Sequence, residues 1–175
     1  DIGKLSVCGT INDLAVGGAE PVYLSASFII EEGLSMDELK RVVDSMAKTA
    51  RDAGVSIVTG DTKVVERGKG DKLFINTAGI GVINGAELTP MNIRPGDAVI
   101  VSGTMGDHGI AIMTHREGIR MDSPVESDCA PLHTLVMEIL SAAPTGVRAM
   151  RDPTRGGLAT VLNEFAASSG CCISI

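Results

Sequence analysis

Tryptophan is absent from this 175-residue chain, and three phenylalanines and one tyrosine are its only aromatics. A core without large rings must be filled by Val, Ile, Leu, Ala and Met. With 44% hydrophobic residues there is enough such material for one or two domains. Basic charge is also short: 15 Lys and Arg against 22 Asp and Glu leave a net charge of −7. That argues against nucleic acid, because phosphate contacts on a nucleic-acid backbone need clustered cations. Any phosphate that binds must instead be met by a cation or by backbone N–H groups. No apolar run reaches the ~18 residues of a membrane-spanning helix. There is no secretory leader either, although a chain that does not begin with Met says little on that point. The four cysteines, Cys8, Cys129, Cys171 and Cys172, show no Cys-x-x-Cys spacing and no nearby His to complete a zinc site. Buried free thiols in a reducing cytoplasm are the expectation. Neither an internal repeat nor a low-complexity segment occurs.

Glycine, by contrast, is plentiful at 21 residues, which implies many tight turns or close backbone approaches. The stretch Cys8-Gly-Thr-Ile-Asn-Asp-Leu-Ala-Val-Gly-Gly-Ala-Glu-Pro21 is apolar on both sides of Asn12 and Asp13. Gly17 and Gly18 stop it and Pro21 follows, the usual order at a helix C-terminus; residues 22–30 then read as a strand. Asn and Asp suit a helix interior poorly, because their side chains compete with the backbone for hydrogen bonds. Two readings stand open: a helix with one polar edge in water, or a metal-ligating Asp13 with Asn12 beside it in a nucleotide pocket.

Downstream, Ser35-Met-Asp-Glu38 matches a capping box. Leu39, Val42, Val43, Met46, Ala47 and Ala50 follow at helical spacing until Gly54 closes the element. Residues 55–59 read as a short strand that empties into Gly60-Asp61-Thr62-Lys63, with 64–65 still extended. Residues 66–71 form a polar turn. Leu73–Ile83 reads as a long strand in which Gly79 and Gly81 suggest a bulge or bend. The order helix, strand, helix, strand, strand is that of an α+β layer with one helical face. Residues 84–96, with two prolines and two glycines, mark a boundary that divides the chain into 1–88 and 89–175. In the second part, a buried strand at 98–101 leads into Ser102-Gly-Thr-Met-Gly-Asp-His-Gly109. Helices follow at about 110–117 and 128–140, a short strand at 147–150, a helix at 158–168, and a strand-like end at 171–175.

Three polar constellations interrupt apolar elements: Asn12-Asp13, Gly60-Asp61-Thr62-Lys63, and Asp152-Pro153-Thr154-Arg155-Gly156-Gly157. Asp61, placed at a strand end, sits where loops collect binding groups, and two separated carboxylates suit Mg²⁺, which prefers oxygen ligands. An Asp beside Gly equally suits a turn, and Lys63 suits either a phosphate or solvent. Two glycines at a helix start leave N–H groups open to an anion. Asp152 there could hold a metal and Arg155 could grip phosphate; a capped helix start with a surface Arg is the alternative. The 102–109 segment resembles a phosphate loop only loosely. His108, His115 and His133 show no nucleophile–base pairing.

In order, the stretches Asp1-Ile-Gly-Lys-Leu-Ser-Val-Cys-Gly-Thr-Ile-Asn-Asp-Leu-Ala15, Gly18-Ala-Glu-Pro21, Gly60-Asp-Thr-Lys-Val-Val65, 102–109 and 152–157 resemble the HypE-type hydrogenase maturation proteins. These belong to the superfamily of aminoimidazole ribonucleotide synthetase and selenophosphate synthetase. The resemblance implies that superfamily's α+β fold: a mixed sheet with a helical face in an ATP-binding domain at 1–88, then the start of a second α/β domain at 89–175. It implies a homodimer formed through sheet contacts, with strands 22–30 and Leu73–Ile83 as the face. It also implies an ATP-dependent dehydratase. A carbamoyl group, received on a C-terminal cysteine from a carbamoyltransferase partner, is dehydrated to a thiocyanate that supplies cyanide to the iron of [NiFe]-hydrogenase through iron-site assembly proteins. By matched position Asp13 and Asp61 would hold Mg²⁺–ATP with Asn12 and Lys63 beside them, and Asp152, Thr154, Arg155, Gly156 and Gly157 would complete the nucleotide surroundings. The chain departs from the family pattern in lacking the glycine- and aspartate-bearing N-terminal segment and the tail ending Pro-Arg-x-Cys. The acceptor cysteine is therefore none of the four here, and a fragment inactive alone is expected. The rival expectations are another ATP-using enzyme of the superfamily, of the selenophosphate synthetase or thiamine-phosphate kinase type, and a non-enzymatic docking or dimerisation module.

Overall fold

The computed structural model describes residues 1–85 and 87–175; Ala86, inside the expected 84–96 boundary, lies outside the described residues. The chain forms two compact units. The first comprises Asp1–Glu87 and Pro131–Val147, and the second Leu88–Ala130 and Arg148–Ile175.

The first unit opens with α1 (Ile2–Val16), whose start is capped by Asp1: one carboxylate oxygen accepts from the N–H groups of Gly3 and Lys4. Strand β1 (Ala19–Glu31) follows, beginning earlier than the expected residue 22. Pro21 is accommodated because the β1–β3 register shifts between Pro21 and Tyr23, opposite Gly81 and Ile80, the bulge that the strand glycines suggested. Ser35 caps α2 (Met36–Asp52) by accepting from Glu38 N–H at 3.3 Å, and Gly54 at φ +69° ends it, both as the capping box and glycine imply. β2 (Ser56–Val65) and β3 (Leu73–Ile83) complete a three-stranded sheet in the order β2-β1-β3, with β1 parallel to β2 and antiparallel to β3. α2 is thus the crossover that a parallel pair requires.

Alternation along the central strand assigns the two faces. Leu24 and Ala26 join Val7 and Ile11 of α1, Met46 and Ala50 of α2, and Ala53 and Val55 in one buried core, with Phe28 packed against it. Each fully buried aliphatic side chain contributes roughly 1.5–3 kcal/mol. Helix α1 lies directly on β3 because Gly79 has no side chain: a Cβ there would come within 2.7 Å of Leu14 Cδ1. The opposite face carries Tyr23, Ser25, Ser27 and Ile29 beside Ile80, Ala78, Asn76 and Phe74. Among the described residues no helix of the first unit covers it, and Phe74 and Ile80 remain 50% and 68% exposed.

Helix α4 (His133–Ala142) completes the first unit, packing on α1 and β1 and burying Val136. It starts later than the expected 128 because a residue before proline is turned away from helical geometry, and Pro131 imposes that on Ala130. The division at residue 88 had grouped this segment with everything that follows.

The second unit contains α3 (Asp107–Arg116) and α5 (Gly157–Ser169), the latter burying Val161 and Leu162 and packing on a 3-10 turn at Pro90–Asn92. Thr89 N–H bonds the Arg148 carbonyl at 3.1 Å, and Arg148 Nε lies 3.8 Å from Asp97. The strands expected at 98–101, 147–150 and 171–175 are not formed: a strand needs a lateral partner for its N–H and C=O groups, and none pairs with these segments among the described residues. Ile100 is consequently 87% exposed.

Candidate functional site

The α1 motif distributes its side chains in four directions. Cys8 and Ile11 enter the core. Thr10 Oγ1 meets Thr77 Oγ1 of β3 at 2.6 Å, and Thr77 Oγ1 also donates to the Ser6 carbonyl. Asn12 Oδ1 accepts from the Leu132 N–H at 2.8 Å, at the entry to α4. Asp13 is exposed, on the side of the helix away from the core. Asn12 is therefore accommodated in a helix interior by a distant backbone group, the Leu132 N–H, a partner for which sequence reasoning had no signal.

Asp61 is not at a strand end, as expected, but in the middle of β2. The strand runs on through Gly60, where the two backbones approach so closely that a Cβ would fall 1.9 Å from the Ala26 carbonyl oxygen. Asp61 pairs with Ser27 across the ladder and so shares the uncovered face with Ser27 and Asn76; its Oδ1 accepts from Thr62 N–H at 2.8 Å. Lys63 follows on the same face beside Ile29 and Phe74. Asp13 sits on a helix covering the other face. Among the described residues α1 packs on β1, β3, α2 and α4 but not on β2, so within one chain the two carboxylates are not brought together. No group of three His, Cys, Asp or Glu able to hold a metal occurs among the described residues.

In the second unit, Asp152 is half-buried, and its carbonyl receives the Thr154 N–H at 3.0 Å; Thr154 and Arg155 are exposed. Gly156 (φ +73°) and Gly157 (φ +63°) are both left-handed, a turn that only glycine makes without strain. Gly156 is the N-cap of α5 with no side-chain cap. The first N–H groups of α5 are thus left for another acceptor, and with the helix dipole they fit a phosphate. The oxygen donors Asp13, Asp61 and Asp152 fit Mg²⁺ in chemistry.

Other groups depart from expectation. Cys8 is buried, Cys129 and Cys171 are half-buried and Cys172 is exposed, all four as free thiols. Exposure of Cys172 and the position of Cys129 ahead of α4, not at its start, correct the expected burial and helix placement. His108 Nδ1 lies 2.9 Å from Ser127 Oγ, a pair hidden by a sequence separation of 19; Ser127 Oγ also accepts from Cys129 N–H and so organises its own turn. Glu31, unmarked in the sequence, accepts backbone N–H bonds from Gly68 and Lys72. These two bonds, Gly68 first, hold its carboxyl below the usual glutamate range. A cleft of about 210 Å³ beside it is lined by Glu32, Glu38, Arg67 and Lys72 and includes none of the expected site residues.

Residues 1–83 match the N-terminal domain model of AIR synthase related protein, and residues 94–175 match that family's C-terminal domain model. The chain belongs to the AIR synthase related family. Within it, the chain is similar to carbamoyl dehydratase HypE of Cupriavidus necator, 59% identical over 171 residues, which are 97% of this chain and 48% of that protein. Among solved structures, HypE in a HypE–HypF complex superposes with a TM-score of 0.94 at 53% identity, covering 97% of this chain and 56% of that one. Hydrogenase maturation protein HypE in complex with ATP gives 0.93 at 54%, covering 97% and 50%. The resemblance to HypE-type proteins and the α+β fold are borne out. The chain spans about half the length of the curated relatives it matches. Among the described residues no helix is long and apolar enough to cross a membrane.

Proposed function

We propose that the whole protein is a cytoplasmic, ATP-dependent carbamoyl dehydratase of hydrogenase maturation. Carbamoyl arrives on a C-terminal cysteine from a carbamoyltransferase partner, and ATP phosphorylates the amide oxygen with release of ADP. Loss of phosphate and a proton then leaves a thiocyanate, R–S–C≡N, from which cyanide passes to hydrogenase iron-site assembly proteins. An amide oxygen leaves poorly and a phosphorylated one well, so the protein's task is positioning and charge neutralisation. The ATP-binding domain is residues 1–88, to which Pro131–Val147 returns, and the rest of residues 89–175 begins a second α/β domain.

The observation that carries this reading is the uncapped, two-glycine start of α5, an anion-binding feature in a chain so similar to proteins named for this activity. Gly156, Gly157, Thr154 and Arg155 take phosphate, and Asp152 adds an oxygen donor. Asp13 and Asp61 supply carboxylates to Mg²⁺, which would neutralise phosphate charge. Because those two come from opposite faces of the sheet, we assign Asp61 and Lys63 to the face that a second copy covers in a homodimer, over Tyr23, Ile29, Phe74 and Ile80.

The test is mass spectrometry of the cysteine-bearing tail after incubating the whole protein with the carbamoyltransferase, carbamoyl phosphate and ATP. Wild type should progress to thiocyanate. A folded Asp13→Asn variant should stop at the carbamoylated thiol, and normal dehydration by that variant would overturn the metal role.

A further inference from the structure

Asn12 and Asp13 are neighbours in sequence but do different things. On a helix they point about 100° apart, and the side chain that reaches α4 is not the one facing solvent. The Asn12 bond to Leu132 is short, part-buried and spans 120 residues. Its donor is the N–H of the residue that caps α4, and Leu132 provides no side-chain cap of its own. In a capping box the residue three further on reaches back to that N–H. Here that residue is Leu135, which has no acceptor, so α1 supplies from outside what the local sequence of α4 lacks. The segment Pro131–Val147 is bounded on both sides in sequence by residues of the second unit. Its place on the first unit therefore rests on contacts with α1 and β1, and this bond sits at its point of entry. An amide is the suitable acceptor: a carboxylate at position 12 would make the same bond but would set a second negative charge beside Asp13.

We infer that Asn12 is a positioning residue that seats α4 on the Asp13-bearing helix through Leu132, and that it does not touch the nucleotide. The inference rests on the proposed role of Asp13 for its catalytic consequence, though not for the bond itself.

Hydrogen exchange of the Leu132 amide and steady-state kinetics, both in the whole protein, test it. Asn12→Ala should speed Leu132 exchange about fivefold to tenfold, the equivalent of one ordinary hydrogen bond. It should lower kcat several-fold while holding KM for ATP within about twofold, as misplacement rather than lost binding does. Asn12→Asp retains the acceptor and should keep Leu132 exchange slow, which keeps the inference testable even if the alanine variant folds poorly. Asp13→Asn should leave Leu132 exchange unchanged. Unchanged exchange in Asn12→Ala, fast exchange in Asn12→Asp, or a rise in KM for ATP without loss of kcat would each overturn the inference. So would a folded Asn12→Ala enzyme with unaltered kcat and KM. If Asp13→Asn turns over normally, the metal reading fails, and the Leu132 exchange pattern still decides whether Asn12 is the latch.

Discussion

The first unit closes eight residues from two helices, a strand and a connecting segment into one core; in the second, Val161 and Leu162 are the buried side chains of its longest helix. Apolar content does not explain the difference, since the second unit carries Val99, Ile100, Val101, Ile110 and Met113 in exposed positions. What differs is partnership. Residues 22–30 find a strand on either side and a helix layer above, while 98–101, equally apolar, find no neighbouring strand among the described residues. An extended apolar segment becomes a strand only where its backbone groups can be paired.

The largest expected effect sharpens this contrast directly. Ile11→Ala, at a position with no exposure, should destabilise the chain by about 3–5 kcal/mol in urea unfolding, and Leu162→Ala at 7% exposure by about 2 kcal/mol. Equal losses would break the comparison. Next comes Gly156→Ala. A left-handed alanine costs roughly 1–2 kcal/mol, and its Cβ would meet Thr160 Oγ1 at 2.0 Å, so weaker Mg²⁺–ATP binding in calorimetry should accompany the destabilisation.

A smaller change of opposite sign should come from Gly9→Ala. Gly9 is inside α1 with open space around it, and alanine there should stabilise by about 0.5–1 kcal/mol, read as a raised unfolding midpoint. The smallest effect concerns Glu31, whose carboxyl is held below the ordinary value of 4.5 by the Gly68 and Lys72 N–H bonds. A lowered folded pKa means that its stabilisation is complete above about pH 4.5 and is lost as pH falls through the folded value. Unfolding midpoints of wild type and Glu31→Gln should therefore differ at about pH 6 and converge toward about pH 3; a constant difference would show that the carboxylate charge is not what the turn uses.

The same contrast governs what could be read from sequence. Where period, cap and stop agreed, as at Ser35, Glu38 and Gly54 around α2, the element emerged as expected, and the strand glycines marked a real bulge. Asp61 was misplaced because a glycine beside an aspartate reads as a turn, whereas Gly60 serves to let two strands approach. The late start of α4 was legible in Pro131, yet the expected helix began ahead of it at residue 128, although the apolar pattern starts only after the proline. Neither the Asn12–Leu132 bond nor the Glu31 bonds to Gly68 and Lys72 leave any periodicity, because each joins a side chain to a backbone N–H many residues away. Nor did the motif reveal that Asp13 and Asp61 stand on opposite faces; that follows only from strand register.

The return of Pro131–Val147 to the first unit also has a consequence for how the molecule is made. A ribosome releases α1 and all three strands long before α4, so the nascent first unit must wait, with one flank of α1 bare, through the synthesis of the Leu88–Ala130 segment of its neighbour. Closing so long a loop is slow relative to pairing adjacent strands. A chaperone or a nascent partner that meets the polypeptide in that interval would find a surface that the finished protein never shows, and an expression clone ending near residue 88 would display it permanently.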